Sequence, residues 1–319
     1  MNPIRSLLTV FFSGMLTVAP AYAASFAYIT NQGDNTVSVI DLSRDQVIKT
    51  LSVGKGPAGV AVAARAPRAF VSNVDGQTIS VIDTTQHVVT AEFAVPGTPV
   101  GLAVTADAKT LYVADWYDER VVAIDTADPG RRRLLPAGKA PAGLTLSPDE
   151  KILYIANRDS NDVMVVDTGT LQPIARIAVG NHPFGLALSA EGTTLYVVNV
   201  FDNSVSVIDT ATLAVTATVP VGDHPYCASL GADGTTLYVS NTRDDTVSVI
   251  DTIRNLAVAT IAVDGNPEGL AYHVGKIYVA SWLEDTVSVI DARSNRKIAS
   301  IPTGKKSRAF GQFIATVPH

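Results

Sequence analysis

A five-residue motif, Val-x-Val-Ile-Asp and its variants, ends at Asp41, Asp83, Asp125, Asp167, Asp209, Asp251 and Asp291, at intervals of 42 residues five times and 40 once. A second series with the same step starts at Tyr28, Phe70, Tyr112, Tyr154, Tyr196, Tyr238 and Tyr278, and reads Tyr28-Ile29-Thr30-Asn31 or Tyr238-Val239-Ser240-Asn241. A third, Gly-x-x-Pro-x-Gly, places Pro57, Pro99, Pro141, Pro183, Pro225 and Pro267, with Ser307 in the seventh slot. Such a chain must build one supersecondary unit seven times, and no unit can bury its apolar faces without its neighbours.

Each unit contains four short runs of β-branched and aromatic residues, separated by turn clusters such as Ser147-Pro148-Asp149 and Ala232-Asp233-Gly234. Near residue 200 these runs predict strands at roughly 185–189 (A), 195–199 (B), 204–209 (C) and 214–221 (D). Four-stranded antiparallel units of this length, repeated seven times, specify an all-β, seven-bladed β-propeller. The chain starts on a B strand at Phe26–Asn31 and ends on an unpartnered A-type segment, Ala309–Ile314, so the C-terminal strand is expected to complete the first blade. The short seventh interval falls between Gly269 and Tyr278, which predicts a tighter A-B turn there.

Residues 1–23 read as a secretory signal: Arg5, an apolar run of 12 residues from Leu7 to Val18, and Ala21-Tyr22-Ala23 as a cleavage site. That run is too short for a membrane-spanning helix, which needs about 20 residues. The expectation is a periplasmic or secreted protein, cut near Ala23, with residues 24–319 forming one propeller domain and no membrane span. A monomer is expected. One cysteine, Cys227, rules out an internal disulfide framework, and a net charge of −6 gives no general pull toward nucleic acid.

The Tyr-Val/Ile-x-Asn motif at Tyr28, Tyr154, Tyr196 and Tyr238 resembles that of the YVTN-repeat family of seven-bladed propellers, over the whole mature chain. The resemblance implies an exported bacterial protein. It also implies that relatives include DNA-binding members, lactonases and the haem-carrying domain of nitrite reductase, although the last closes eight blades. The motif is architectural, and a superfold hosts many activities.

What every blade shares should serve the blade. Asn31, Asn73, Asp115, Asn157, Asn199, Asn241 and Ser281 are expected to satisfy turn backbone, and the glycines at 59, 101, 143, 185 and 269 to allow close approach of inner strands. Departures from the repeat concentrate on the face carrying the B-C and D-A turns, where acids outnumber bases 15 to 8. Trp116, Tyr117, Phe201 and Trp282 replace small or polar residues in its B-C turns, with Arg158 and Arg243 nearby. In its D-A turns the slot after proline holds Phe184, Tyr226, Glu268 and Arg308 in four successive blades. Aromatic residues interleaved with arginine are what recognition surfaces concentrate.

His182 and His224 occupy the same slot of adjacent blades, and Cys227 follows three residues after His224. Two readings stand: a shared divalent metal, or turn variants with Cys227 buried as a small apolar residue. No cofactor is otherwise expected. The leading functional expectation is a non-catalytic binding scaffold for a protein or small-molecule ligand. The alternatives are a lactonase-like or metal-assisted hydrolase using Glu268, His182 and His224, and a single-stranded DNA binder that stacks bases on Trp116, Tyr117 and Trp282.

Overall fold

The repeated runs form strands throughout residues 24–317, the part of the chain that the computed structural model describes. The expected signal segment 1–23 lies outside the described residues. Seven sheets surround a central axis, and the one helical element among the described residues is a 3-10 turn, Arg158–Ser160. In blade 5 the strands run, from the axis outward, Pro183–Leu188, Thr194–Asn199, Ser204–Asp209 and Ala214–Pro220. Strand A thus begins two residues earlier than its apolar pattern indicates, because the D-A turn ends at the proline itself.

Blades stack face to face, so B and C strands are buried on both faces while D strands keep mostly exposed positions. Their apolar side chains interdigitate across the seams, as where Tyr196 and Val198 of blade 5 pack with Leu237 and Val239 of blade 6. The repeated tyrosine also reaches across a seam with its hydroxyl: Tyr28 Oη donates to the Thr84 carbonyl, and Tyr278 Oη, 3.2 Å from the Leu42 carbonyl, donates to Asp45 Oδ1 at 2.8 Å. Inner strands approach so closely that a Cβ on Gly101 would lie 1.8 Å from the Ala142 carbonyl oxygen, and one on Gly269 1.9 Å from that of Ala309. Glycine is required at such contacts.

The polar ring at the ends of the B strands is structural, as expected, and does more than cap a turn. Asn31 Nδ2 donates to Thr36 and Ser38 of strand C, and its Oδ1 accepts from the Gly304 amide across the D-A turn. Each strand-C aspartate closes an Asx turn; Asp209 Oδ1 accepts from the amides of Ala211 and Thr212. Where blade 7 carries Ser281 in the asparagine slot, Asp264 stands in the facing glycine slot. Its carboxylate accepts from Thr286 Oγ1 and pairs with Lys297. The basic run Arg131-Arg132-Arg133 clamps neighbouring blades: Arg132 Nη2 donates to the Ala94 carbonyl, and Arg133 to those of Gly169 and Thr170.

The C-terminal strand completes the first blade, as expected, but by a different segment. Ile314–Val317 pairs antiparallel with Ala24–Asn31, and of the expected run 309–314 only Ile314 belongs to that strand. Ser307 bridges Asn31 in the usual register. Between these anchors Phe310–Gln312 leaves the blade and pairs in parallel with Pro57–Val62, the inner strand of blade 2. Gly311 permits the detour, with φ 108° and a notional Cβ 2.4 Å from the Val60 carbonyl oxygen. The tighter turn of blade 7 is a two-residue hairpin, Val274-Gly275, with φ 41° and 78°; two successive positive φ values suit a type I′ turn.

Candidate binding site at the channel mouth

The side chain after each D-A proline sits at the mouth of the central channel. Ala58, Val100 and Ala142 are small, whereas Phe184, Tyr226, Glu268 and Arg308 are large, so one side of the mouth is filled and the other left open. The opening is a pocket of about 230 Å³ on the B-C/D-A face. Phe184, Tyr226 and Phe310 form its floor, with ring centroids 4.2 Å (Phe184 to Tyr226) and 4.7 Å (Phe184 to Phe310) apart. Trp116, 6.0 Å from Phe184, and Tyr117 form one wall, and Gln32, Thr98 and Arg308 supply the polar groups.

Glu268, Arg308 and Tyr226 converge, although they lie in three different blades. Arg308 Nε donates to Glu268 Oε2 at 2.5 Å, and Arg308 Nη2 to Tyr226 Oη at 2.8 Å. Burial pushes the Glu268 carboxyl up from its ordinary value, which the Arg308 charge offsets in part. Burial disfavours the Arg308 cation, but the charge of Glu268 and the contact with Tyr226 outweigh it, and the group is held more firmly charged than usual. Burial also pushes the Tyr226 hydroxyl up, so it stays protonated. Glu268 lies behind this contact and is not part of the pocket wall.

The histidines and the cysteine do not join this group. Phe201 lies against both imidazoles, with centroids 4.0 Å from His182 and 5.4 Å from His224. His224 Nδ1 is 2.8 Å from Asp223 Oδ1, and His182 Nε2 is 3.8 Å from Asp159. Cys227 is buried among Phe184, Phe310 and Leu270, and burial pushes its thiol up; a metal ligand would need the thiolate. No group of three metal-ligating side chains is found among the described residues. His182 and His224 have φ of 55° and 51°, but six of the seven D-A turns have a positive φ at this slot, Thr98 being the exception, so the conformation belongs to the repeat.

The remaining residues singled out from the repeat are spread along the rim. The Arg158 guanidinium sits 5.5 Å from the Trp116 ring and 5.8 Å from Phe201, and Lys306 covers Trp282 at 4.9 Å. Trp282 Nε1 reaches Gln32 Oε1 of blade 1, so it caps a blade seam beside the pocket. Phe201 and Arg243 are exposed and stand apart from it. Sequence comparison missed Phe310, Gln32 and Thr98 as site residues. Phe310 had a signal: its slot otherwise holds Val60, Leu102, Leu144, Leu186, Ala228 and Leu270.

A second opening lies on the A-B/C-D face, a cavity of about 610 Å³ lined by the inner strands and closed from the first by Phe310 and its neighbours. Its charged lining residues are Arg65 and Glu150, 3.7 Å apart.

Comparison with known proteins supports the architecture. The family model described as "Lactonase, 7-bladed beta-propeller" matches residues 117–211, a stretch that contains Arg158, His182, Phe184 and Phe201 but none of Tyr226, Glu268 and Arg308. No curated protein matches the chain. Among solved structures, hydrazine synthase of Kuenenia stuttgartiensis superposes with TM-score 0.72 at 23% identity, over 79% of this chain and 88% of that one. A functionally unknown protein from Desulfotomaculum acetoxidans gives 0.76 at 15%, over 90% and 99%. Dihydro-heme d1 dehydrogenase NirN in complex with DHE gives 0.66 at 18%, over 89% and 66%. At these identities the shared property is the propeller fold alone.

Proposed function

We propose that the chain is an exported propeller of the YVTN type that acts as a non-catalytic binding protein, taking a small ligand at the channel mouth of its B-C/D-A face. The pocket carries this reading: five aromatic residues, Trp116, Tyr117, Phe184, Tyr226 and Phe310, surround a concave space that no general base faces. Glu268 is engaged by Arg308, while His182 and His224 lie at Phe201, outside the lining. The lactonase-family match does not favour hydrolysis over binding, because it ends before Tyr226, Glu268 and Arg308. Stacking of single-stranded DNA is disfavoured because Arg158 and Lys306 already cover the Trp116 and Trp282 rings, and because acids outnumber bases on this face.

The test is a fragment-binding screen by saturation-transfer NMR on residues 24–319, run beside a panel of lactones and esters. Binding that is lost in Trp116→Ala, with no turnover, is expected; turnover abolished by Glu268→Gln would replace binding with catalysis. Export is checked by N-terminal sequencing of protein from the periplasmic fraction, with Ala24 as the expected first residue.

A further inference from the structure

Arg308, Gln32 and Thr98, which line the pocket, share one property: each keeps side-chain hydrogens with no protein acceptor. Arg308 uses Nε on Glu268 and one Nη2 hydrogen on Tyr226, which leaves three of its five donors, both on Nη1 among them, without a protein partner. Gln32 accepts from Trp282 Nε1 through Oε1; the indole can only donate, so this fixes the amide orientation and leaves the Nε2 hydrogens free. The Thr98 amide is held by Asp115 at 2.8 Å, while its hydroxyl has no protein partner. No carboxylate belongs to the pocket wall.

Resting on the binding reading above, we infer that the pocket takes an uncharged ring compound bearing a carbonyl oxygen, with the ring on the aromatic floor and the oxygen received by Arg308, Gln32 and Thr98. The ring is called for by Phe184, Tyr226, Phe310 and Trp116, since aromatic pairs gain beyond their buried area. Size limits it to one or two rings, because about 230 Å³ is less than the roughly 300–1,000 Å³ that holds drug-sized ligands. Neutrality follows from charge. Glu268 already balances Arg308, so an anion would enter a neutral pair on a face where acids outnumber bases, and a cation would meet the Arg308 guanidinium in a wall that has no carboxylate.

Benzamide, benzoate, benzylamine and toluene share a ring and differ in the head group, so their ranking on the wild-type protein tests the inference. Saturation-transfer NMR titration should place benzamide about three- to tenfold tighter than toluene, the size of about one net hydrogen bond, with benzoate and benzylamine weaker than benzamide. In Thr98→Val and Arg308→Lys, benzamide should fall toward toluene while toluene is unchanged; circular dichroism checks that each variant folds. Benzamide equal to toluene would overturn the inference and leave the pocket reading intact. Benzoate or benzylamine ranking first would overturn it in favour of anion or cation recognition. If no probe binds in a manner sensitive to Trp116→Ala, the binding reading falls and this inference with it.

Discussion

The two openings of the central channel differ in a way that size does not explain. The cavity on the A-B/C-D face, about 610 Å³, is much the larger, yet its wall is built of the aliphatic and small residues that the inner strands repeat from blade to blade. The pocket on the B-C/D-A face holds about 230 Å³ and takes its aromatic and charged lining from residues that break the repeat. In a ring of equal units, symmetry by itself yields a hole; distinct chemistry at a point requires that single blades depart from the rest. The smaller opening is the better candidate site for that reason.

The contrast depends on the partition between the openings, and the largest effect should come from removing it. Deleting Phe310–His319 takes away both the plug and the strand that pairs with Ala24–Asn31. The loss should be comparable to the whole stability of a domain, about 5–15 kcal/mol, read as the disappearance of a cooperative thermal transition. A ring that still melted sharply would show that closure is not what holds the two halves apart.

Arginine substitutions sharpen the contrast next. Arg308→Met leaves Glu268 buried beside no cation and should cost about 3–5 kcal/mol in urea unfolding, whereas Arg65→Met at the other opening removes an exposed contact and should cost less than about 1 kcal/mol. Phe310→Ala should cost a similar 3–5 kcal/mol by the cavity it leaves, and should join the two openings, detectable as faster hydrogen exchange at the inner-strand amides of both.

The smallest expected effect is the pH dependence that His182 contributes at the rim of the B-C/D-A face. Burial and the Arg158 charge lower the His182 pKa from its ordinary value, against the opposing pull of Asp159. The fold therefore prefers the neutral ring. Its contribution is present above the unfolded value, about 6.5, and is lost as pH falls through the folded one. His182→Asn keeps a residue suited to the positive φ of this turn. Between pH 7.5 and 5.5 the wild type should lose slightly more melting temperature than this variant.

Most of the fold was legible because a repeat can be read without knowing any contact: the spacing of Asp41 to Asp291 sets blade number, strand order and the seventh hairpin. The path of the closing segment was not legible. Whether Phe310 pairs within blade 1 or crosses to blade 2 depends on the space beside Val60 and on Gly311, which no periodicity encodes. Aligning the blades against one another found Trp116, Phe184, Tyr226, Glu268 and Arg308 but could not say which would touch. Arg308 lies 40 residues from Glu268 and 82 from Tyr226, and the three meet only after the ring closes. The same alignment suggested a metal for His182 and His224, because equivalent slots imply proximity and cannot show that Phe201 lies against both rings.

The detour of Phe310–Gln312 also has a bearing on how the chain is made. The residues that plug the channel, complete the first blade and present Arg308 to Glu268 all follow the seventh blade in sequence. Six blades and most of a seventh can form before that segment is made, but the pocket and the closed ring come into being together, once it is in place. A molecule that has not yet added this segment would therefore carry an open ring and an unfinished pocket, and could not hold a ligand there.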